Sequence, residues 1–146
     1  MGDYYRKSEW GLNMDTKKDE LTHRNARFLL LVNNKINSHT VAGFCHYRFD
    51  YDDEDDPSEV VVYVYELQIN DTYKRQGLGK HLMNIVEAMA KQNDIPKVML
   101  TVFRANQAAL DFYQHGLSYT IDDNSPSKHT TNNVVVDYEI LSKQVL

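Results

Sequence analysis

The residues best suited to do chemistry are a carboxylate inside an apolar segment and the basic, glycine-containing segment that follows it. Residues 60–69 (VVVYVYELQI) are β-branched, aromatic or aliphatic apart from Glu66 and Gln68, which predicts a largely buried strand. A carboxylate in a buried strand is costly to desolvate unless it is paired or hydrogen-bonded. Glu66 is therefore either a catalytic group or one half of a buried ion pair, for example with Arg48.

The segment after this strand has the composition of an anion-binding turn. Residues 74–80 (KRQGLGK) carry three basic side chains and two glycines, and a helical pattern begins at Leu78. Glycines let successive backbone N–H groups approach an anion closely, and a helix N-terminus adds partial positive charge. The segment predicts a pyrophosphate site, with a basic turn before an ordinary surface helix as the alternative.

The elements that position these residues are predicted from apolar spacing and turn residues. The predicted elements are a short helix within 15–26, strands at 28–32, 41–49 and 60–69, a helix from 78 that ends at 93–96, a strand at 98–103, a helix at 106–114, and strands at 119–121 and 134–141. The acidic segment 50–56 before Pro57 predicts an exposed loop. Strands followed by alternating strands and helices predict an α/β fold with a mixed sheet packed by helices, in a single domain of residues 1–146.

The composition argues against nucleic-acid binding, a membrane-spanning segment, an intrachain disulfide and a metal site. The net charge of -5 argues against nucleic acid as a direct ligand and is compatible with a basic partner. No run of about 18 apolar residues is present, so we expect no membrane-spanning segment. Cys45 is the only cysteine and the six histidines are scattered, so we expect neither an intrachain disulfide nor a metal site.

The motifs together resemble the GNAT acetyltransferases. The resemblance is carried by the strand with Glu66, the RQGLGK segment and residues 106–113 (NQAALDFY), although Lys74 stands where the family usually has Arg or Gln. It implies a GNAT fold, a central mixed β-sheet flanked by helices, and acetyl-CoA as cosubstrate without a metal. It implies Glu66 as catalytic residue and Tyr113 as proton donor to the leaving thiol, although packing in the core is the alternative role for Tyr113. The residues themselves leave Asp50, acting through a water, as an alternative base. The implied cofactor-binding residues are Leu67, Gln68, Ile69, Arg75, Gln76, Gly77, Leu78, Gly79, Lys80 and Asn106.

A narrower resemblance, over almost the whole chain, is to the NatD family of histone N-alpha-acetyltransferases. It rests on the segments SEW (8–10), YRFD (47–50), YELQ (65–68), KVMLTVF (97–103), IDD (121–123), SPS (125–127) and YEILS (138–142). It implies transfer to the N-terminal Ser of Ser-Gly-Arg-Gly tails of histone four and histone two-A, without an auxiliary subunit, in nucleus and cytoplasm. The implied substrate-binding residues are Tyr5, Trp10, Asp50, Tyr63, Tyr65, Thr101, Asn124 (where the family can have Ser) and Tyr138.

The residues themselves suit a peptide acceptor but leave alternatives open. An α-amine has a pKa of about 7.7–8.0 against roughly 10.4 for lysine, so it needs less help from a base. A substrate Arg pairs well with carboxylates, which Asp50 or residues 122–123 offer. Tyr63 and Tyr65 are two apart and predicted on one face, where core packing is the alternative role. The other functions considered are a GNAT enzyme acting on lysine side chains or small amines, and a non-catalytic module that binds basic tails, against which the intact KRQGLGK segment argues.

Overall fold

The computed structural model describes residues 14–35, 40–53, 56–129 and 136–146, and of residues 14–16, 53 and 56–58 only the backbone. Its regular elements are, in chain order, α1 (Met14–Leu21), β1 (Arg27–Val32), β2 (Val41–Asp53), β3 (Asp56–Ile69), a 3₁₀ turn (Asp71–Tyr73), α2 (Leu78–Gln92), β4 (Lys97–Phe103), α3 (Gln107–Asp111), a π turn (Phe112–Gly116), β5 (Thr120–Ile121), a second 3₁₀ turn (Pro126–Lys128) and β6 (Tyr138–Gln144). Within this part of the chain, no helix is long and apolar enough to cross a membrane.

The described residues form two compact units. The first unit comprises residues 24–98 and 144–146, and the second comprises the described part of residues 1–23 together with residues 99–143. The prediction of one domain over residues 1–146 stays a prediction.

The first unit is an antiparallel meander of β1, β2 and β3 against which α2 packs. Its core consists of apolar side chains from both layers, including Cys45, Val62, Val64, Leu82, Met83, Val86 and Ala90, all at most 3% exposed. β2 and β3 approach each other closely at Gly43, where a Cβ atom would lie 2.7 Å from the Gln68 carbonyl oxygen. A side chain larger than hydrogen at this position would therefore displace the end of β3.

The helix α2 follows from the spacing of its apolar residues, which places Leu82, Val86 and Ala90 in the core. The helix ends where Asn93 N–H bonds the carbonyl of Met89 and Asp94 adopts a left-handed conformation with φ of 56°. The predicted start at Leu78 and the predicted stop are both confirmed.

The second unit contains strands in the order β4, β6, β5, and β5 pairs antiparallel with β6 through Ile121 and Leu141. Asn106 caps α3, because its side-chain oxygen accepts a hydrogen bond from the Ala109 N–H at 3.1 Å. The predicted helix over 106–114 is shorter than expected, since regular α geometry ends at Asp111 and continues as the π turn.

The predicted acidic loop at 50–56 was wrong for most of its length, because β2 continues to Asp53 and β3 begins at Asp56. Residues 54 and 55 lie outside the described part. Asp50 and Tyr51 remain in the ladder opposite Val61 and Val60. The carboxylate of Asp52 binds Lys97 Nζ at 2.8 Å, with both side chains mostly buried. Lys97, 45 positions further along the chain, therefore compensates the charge of Asp52, one of the charges on which the loop prediction depends.

Two other boundaries differ from prediction. The first helix spans Met14–Leu21 rather than reaching residue 26. The last strand runs from Tyr138 to Gln144, beyond the predicted end at 141. Of the predicted start of that strand, residues 134 and 135 lie outside the described part of the chain.

Candidate active site

A β-bulge interrupts the pairing of β2 and β3 directly before the candidate catalytic carboxylate. His46 opposes Glu66, but the next residue, Tyr47, opposes Val64, so β3 contributes Tyr65 as an extra residue. Bulges redirect side chains and are enriched next to active sites. No glycine or proline marks this position, so its residue types do not predict a bulge.

The bulge brings together side chains that a regular strand would separate. Tyr63 and Glu66 are three apart and would point to opposite faces of an uninterrupted strand. Their partners on β2, Arg48 and His46, are two apart and therefore share a face. Asp50, opposite Val61, lies on that face too. We call this surface, defined by His46, Arg48, Asp50, Tyr63 and Glu66, the site face.

Glu66 is the buried carboxylate of the site face, with only 4% of its surface exposed. Gln68 Nε2 donates a hydrogen bond to Glu66 Oε2 at 3.4 Å. The prediction of a buried carboxylate on this strand is thereby confirmed. The carboxylate of Glu66 is thus shielded from bulk water and oriented by Gln68. Both properties suit a general base.

An aromatic stack spans the three strands beside Glu66. The ring of His46 lies between Phe28 and Tyr65, with centroids 4.9 and 5.0 Å away. The guanidinium carbon of Arg48 lies 4.1 Å from the centroid of the Tyr65 ring, and Arg48 Nε donates to His46 Nε2 at 3.3 Å. Tyr63 meets Tyr65 edge to face at 5.4 Å. The ring of Tyr65 is therefore held by three neighbours, His46, Arg48 and Tyr63.

Asp50 occupies a different place along the site face. It is half-buried, and its Oδ1 accepts a hydrogen bond from the Tyr51 N–H at 2.9 Å. It lies four positions along β2 from His46, the partner of Glu66, which corresponds to about 13 Å at backbone level. The two candidate bases thus mark the two ends of an extended surface.

The cysteine of the meander is not a candidate nucleophile. Cys45 has no exposed surface, and burial raises its pKa to about 12. The thiolate form is therefore scarce at neutral pH, which favours direct transfer over a covalent cysteine intermediate.

The predicted pyrophosphate segment has the backbone shape that its residue types indicate. Arg75 and Gly77 both adopt left-handed conformations, with φ of 66° and 75°. Gly77 is the N-cap of α2 and makes no side-chain cap, and the first N–H groups of a helix lack intrahelical partners. These donors, together with the exposed side chains of Arg75 and Lys80, suit the pyrophosphate of a coenzyme A group.

The third basic side chain of this segment has a different partner. Lys74 Nζ pairs with Asp71 Oδ1 at 2.8 Å, and its hydrogen bond and charge hold the pKa of Asp71 below the ordinary value. Lys74 stands at the position where the GNAT family usually has Arg or Gln. In this conformation its charge is directed to the 3₁₀ turn before the pyrophosphate segment.

The remaining predicted cofactor positions on β3 are backbone positions in a paired strand. Leu67, Gln68 and Ile69 oppose Cys45, Phe44 and Gly43, and all three side chains are half-buried. Leu67 and Ile69 have ordinary apolar side chains, so their predicted role depends on the main chain, whereas the side chain of Gln68 also binds Glu66.

The second unit holds the other predicted site residues. Tyr113 is buried (8% exposed), and the centroid of its ring lies 5.0 Å from that of Phe112 and 5.9 Å from that of Tyr119. Tyr113 therefore packs in the core of this unit, and a chemical role would be additional to that packing. Thr101 and Tyr138 are half-buried, Asn106 is the cap of α3, and Asn124 is exposed in a turn. Tyr5 and Trp10 lie outside the described residues.

Comparison with known proteins places this geometry in a family. Residues 2–119 match the model of the acetyltransferase (GNAT) family. Among solved structures, Arabidopsis thaliana NAA60 in complex with a bisubstrate analogue is 16% identical in sequence and has a TM-score of 0.68. The match covers 92% of this chain and 84% of the NAA60 chain. The same protein with acetyl-CoA gives 16% identity and a TM-score of 0.65, covering 91% and 84%. Arabidopsis thaliana Naa50 in complex with the bisubstrate analogue CoA-Ac-MVNAL is 23% identical and has a TM-score of 0.55. This match covers 73% of this chain and 67% of the Naa50 chain.

These similarities confirm the predicted fold class, a GNAT fold with a central mixed β-sheet flanked by helices. The family match supports acetyl-CoA as the cosubstrate. The left-handed turn before α2 offers backbone donors that suit the pyrophosphate of this cosubstrate. The chain therefore belongs to the acetyltransferase (GNAT) family and is an acetyl-CoA-dependent acetyltransferase.

Proposed function

We propose that the protein is an N-alpha-acetyltransferase that acetylates the N-terminal Ser of histone tails of the Ser-Gly-Arg-Gly type, in histone four and histone two-A. The observation that carries the proposal is the bulge at Tyr65, which aligns Glu66, Tyr63 and Asp50 on one face. The NatD resemblance of the segments that hold these residues supports the histone assignment. The peptide-containing analogue CoA-Ac-MVNAL bound to the similar Naa50 supports a peptide acceptor.

The proposed reaction is direct transfer. The neutral amine nitrogen attacks the thioester carbonyl carbon, the C–N bond forms and the C–S bond breaks, and the amine proton passes to Glu66. The α-amine, with a pKa of about 7.7–8.0, is substantially neutral near pH 7.5 before it meets the base. Tyr113 is the proposed donor to the departing sulfur, a modest contribution because a thiol with a pKa of roughly 8.5 leaves readily as thiolate.

The spacing along the site face fits the proposed acceptor. With the α-amine at Glu66, the third residue of an extended peptide lies about 7 Å further along, at roughly 3.4 Å per residue. The long side chain of an Arg at that position then spans the remainder of the approximately 13 Å to Asp50. The tyrosine rings of Tyr63 and Tyr65 flank the intervening stretch, which suits the small Ser and Gly residues that come first.

The proposal assigns the other predicted residues as follows. The main chain of residues 67–69, the segment 75–80 and Asn106 contact acetyl-CoA, and Tyr5, Trp10, Thr101, Asn124 and Tyr138 contact the acceptor. Activity without an auxiliary subunit and residence in nucleus and cytoplasm belong to the same proposal.

The proposed specificity is tested by changing the acceptor. A Ser-Gly-Ala-Gly-Lys peptide should show a KM about tenfold above that of Ser-Gly-Arg-Gly-Lys, because it loses a charge-assisted hydrogen bond contributing about 1.5 kcal/mol. Its KM should also depend less on ionic strength, which screens the Arg–carboxylate attraction. Steady-state kinetics at two salt concentrations measure both effects.

A matched protein variant locates the interaction. Asp50→Asn should remove most of the difference between the two peptides, as a double-mutant cycle requires for a direct pair. Equal KM values and equal salt dependence for the two peptides in the unaltered protein would show that no carboxylate of the protein recognises the substrate Arg.

A further inference from the structure

The second unit contains a buried carboxylate that none of the proposed steps uses. Glu139 on β6 is 8% exposed and binds three side chains. Ser125 Oγ donates to Glu139 Oε2 at 2.5 Å, Ser127 Oγ donates to the same oxygen at 2.8 Å, and Arg104 donates to Oε1 at 2.6 Å. Both carboxylate oxygens are therefore engaged by short hydrogen bonds.

These bonds join three separate segments of the chain. Ser125, which has no exposed surface, also accepts a hydrogen bond from the Ile140 N–H through its Oγ at 3.0 Å. Arg104, just after β4, donates its backbone N–H to the Asp137 carbonyl at 2.8 Å. The end of β4, the turn at 122–128 and the start of β6 thus meet at one carboxylate.

The environment keeps Glu139 ionised at neutral pH. Burial alone raises the pKa of this carboxyl group, but the hydrogen bonds from Ser125 and Ser127 and the charge of Arg104 more than offset burial and hold the pKa below its ordinary value. Charge-assisted hydrogen bonds of this kind are roughly twice as strong as neutral ones. At neutral pH the ionised carboxylate therefore accepts all three side-chain hydrogen bonds of the junction.

Two proposed acceptor contacts flank this junction in sequence. Tyr138 precedes Glu139 at the start of β6, and Asn124 precedes Ser125 in the turn. The proposed cofactor contact Asn106 is held differently, by its own cap to Ala109 and by a backbone hydrogen bond to the Phe103 carbonyl. Loss of the Glu139 contacts should consequently disturb the acceptor side more than the acetyl-CoA side.

We propose that Glu139 is a positioning residue for acceptor binding, which fixes Tyr138 and the turn at 122–128 through Ser125, Ser127 and Arg104. The role rests on the proposed function for the identity of the acceptor. It does not depend on which amine is acetylated, since any acceptor bound by these segments is affected.

The test is whether substitution of Glu139 changes the KM for the acceptor more than the KM for acetyl-CoA. Glu139→Gln keeps the size of the side chain but removes the charge, and Arg104 is 41% exposed at its side chain, so water solvates its released charge. We expect the KM for the acceptor to rise about tenfold, with the KM for acetyl-CoA and the turnover number changed less than twofold. Ser127→Ala, which removes the hydrogen bond from Ser127 Oγ to Glu139 Oε2, should raise the acceptor KM by about threefold. This variant tests the proposal if Glu139→Gln fails to fold.

The control is Asp111→Asn, which neutralises a carboxylate of the same unit that binds Gln107 on α3 and is 56% exposed at its side chain. It lies outside the acceptor segments and should leave both KM values unchanged. Unchanged acceptor KM in Glu139→Gln and Ser127→Ala, or an equal rise for both substrates, would overturn the positioning role. Kinetics should use whichever amine the unaltered protein acetylates best. Preference for another amine counts against the proposed function alone, whereas an unaffected acceptor KM counts against Glu139 alone.

Discussion

Glu66→Gln should lower the turnover number by about 10² to 10⁴, the range that general-base catalysis contributes. The glutamine has nearly the same shape, and Gln68 remains able to bond it, so folding and the KM for acetyl-CoA should change little. The amide cannot take up the proton that the amine loses, which is why the chemical step alone should suffer. Single-turnover kinetics with saturating acetyl-CoA, alongside thermal unfolding, separate these quantities.

Glu87→Gln is the matched control for this prediction. Glu87 is also buried (8% exposed) and lies in the same unit, on α2, but carries no proposed catalytic role. It reports what neutralising a buried carboxylate does to the fold in general. An undiminished rate in Glu66→Gln would remove Glu66 as the base, and a loss of rate in Asp50→Asn would then identify Asp50 in its place.

Gly77→Ala should raise the KM for acetyl-CoA by about tenfold. Gly77 has a φ of 75°, and an L-residue pays about 1–2 kcal/mol to adopt a left-handed conformation. A Cβ there would meet nothing within 4 Å, so the substitution tests backbone conformation without a steric clash. In the free protein the backbone relaxes away from the strained conformation, and acetyl-CoA must restore it in order to reach the N–H groups before α2. Isothermal titration with acetyl-CoA or coenzyme A measures the loss directly.

Gly116→Ala provides the comparison, because its added Cβ also meets open space, with the nearest atom at 4.0 Å, but its φ is not in the left-handed region. It should leave acetyl-CoA affinity unchanged. If Gly77→Ala lowered the melting temperature but left acetyl-CoA affinity intact, the left-handed turn would serve folding rather than pyrophosphate binding.

The sequence predicted the first unit well because its signals are local. The strands around residues 28–32, 41–49 and 60–69 and the helix from Leu78 follow from apolar spacing, and each is present. The glycine-containing turn predicted before the helix is likewise present, with Gly77 as the N-cap of α2. These features depend on residues within a few positions of one another.

The features that sequence could not supply depend on partners far away along the chain. The bulge at Tyr65 depends on how β3 pairs with β2, and no turn residue marks it. The charges of residues 50–53 predict a loop, because the pairing of Asp52 with Lys97 is not visible in the sequence. The signal for His46 is a histidine amid apolar residues, but its stacking on Tyr65 depends on the pairing of the strands. The junction at Glu139 likewise joins residues 12 to 35 positions apart.

The most direct test of the proposed function is to determine which nitrogen receives the acetyl group. A Ser-Gly-Arg-Gly-Lys peptide with both amines free is incubated with acetyl-CoA and the protein, and fragmentation mass spectrometry locates the product, beside a peptide whose α-amine is blocked. We expect acetylation of the α-nitrogen of Ser alone and no product from the blocked peptide. Acetylation of the lysine side chain in either peptide, at a rate comparable to that of the α-amine, would contradict N-terminal specificity and indicate a lysine-directed GNAT enzyme.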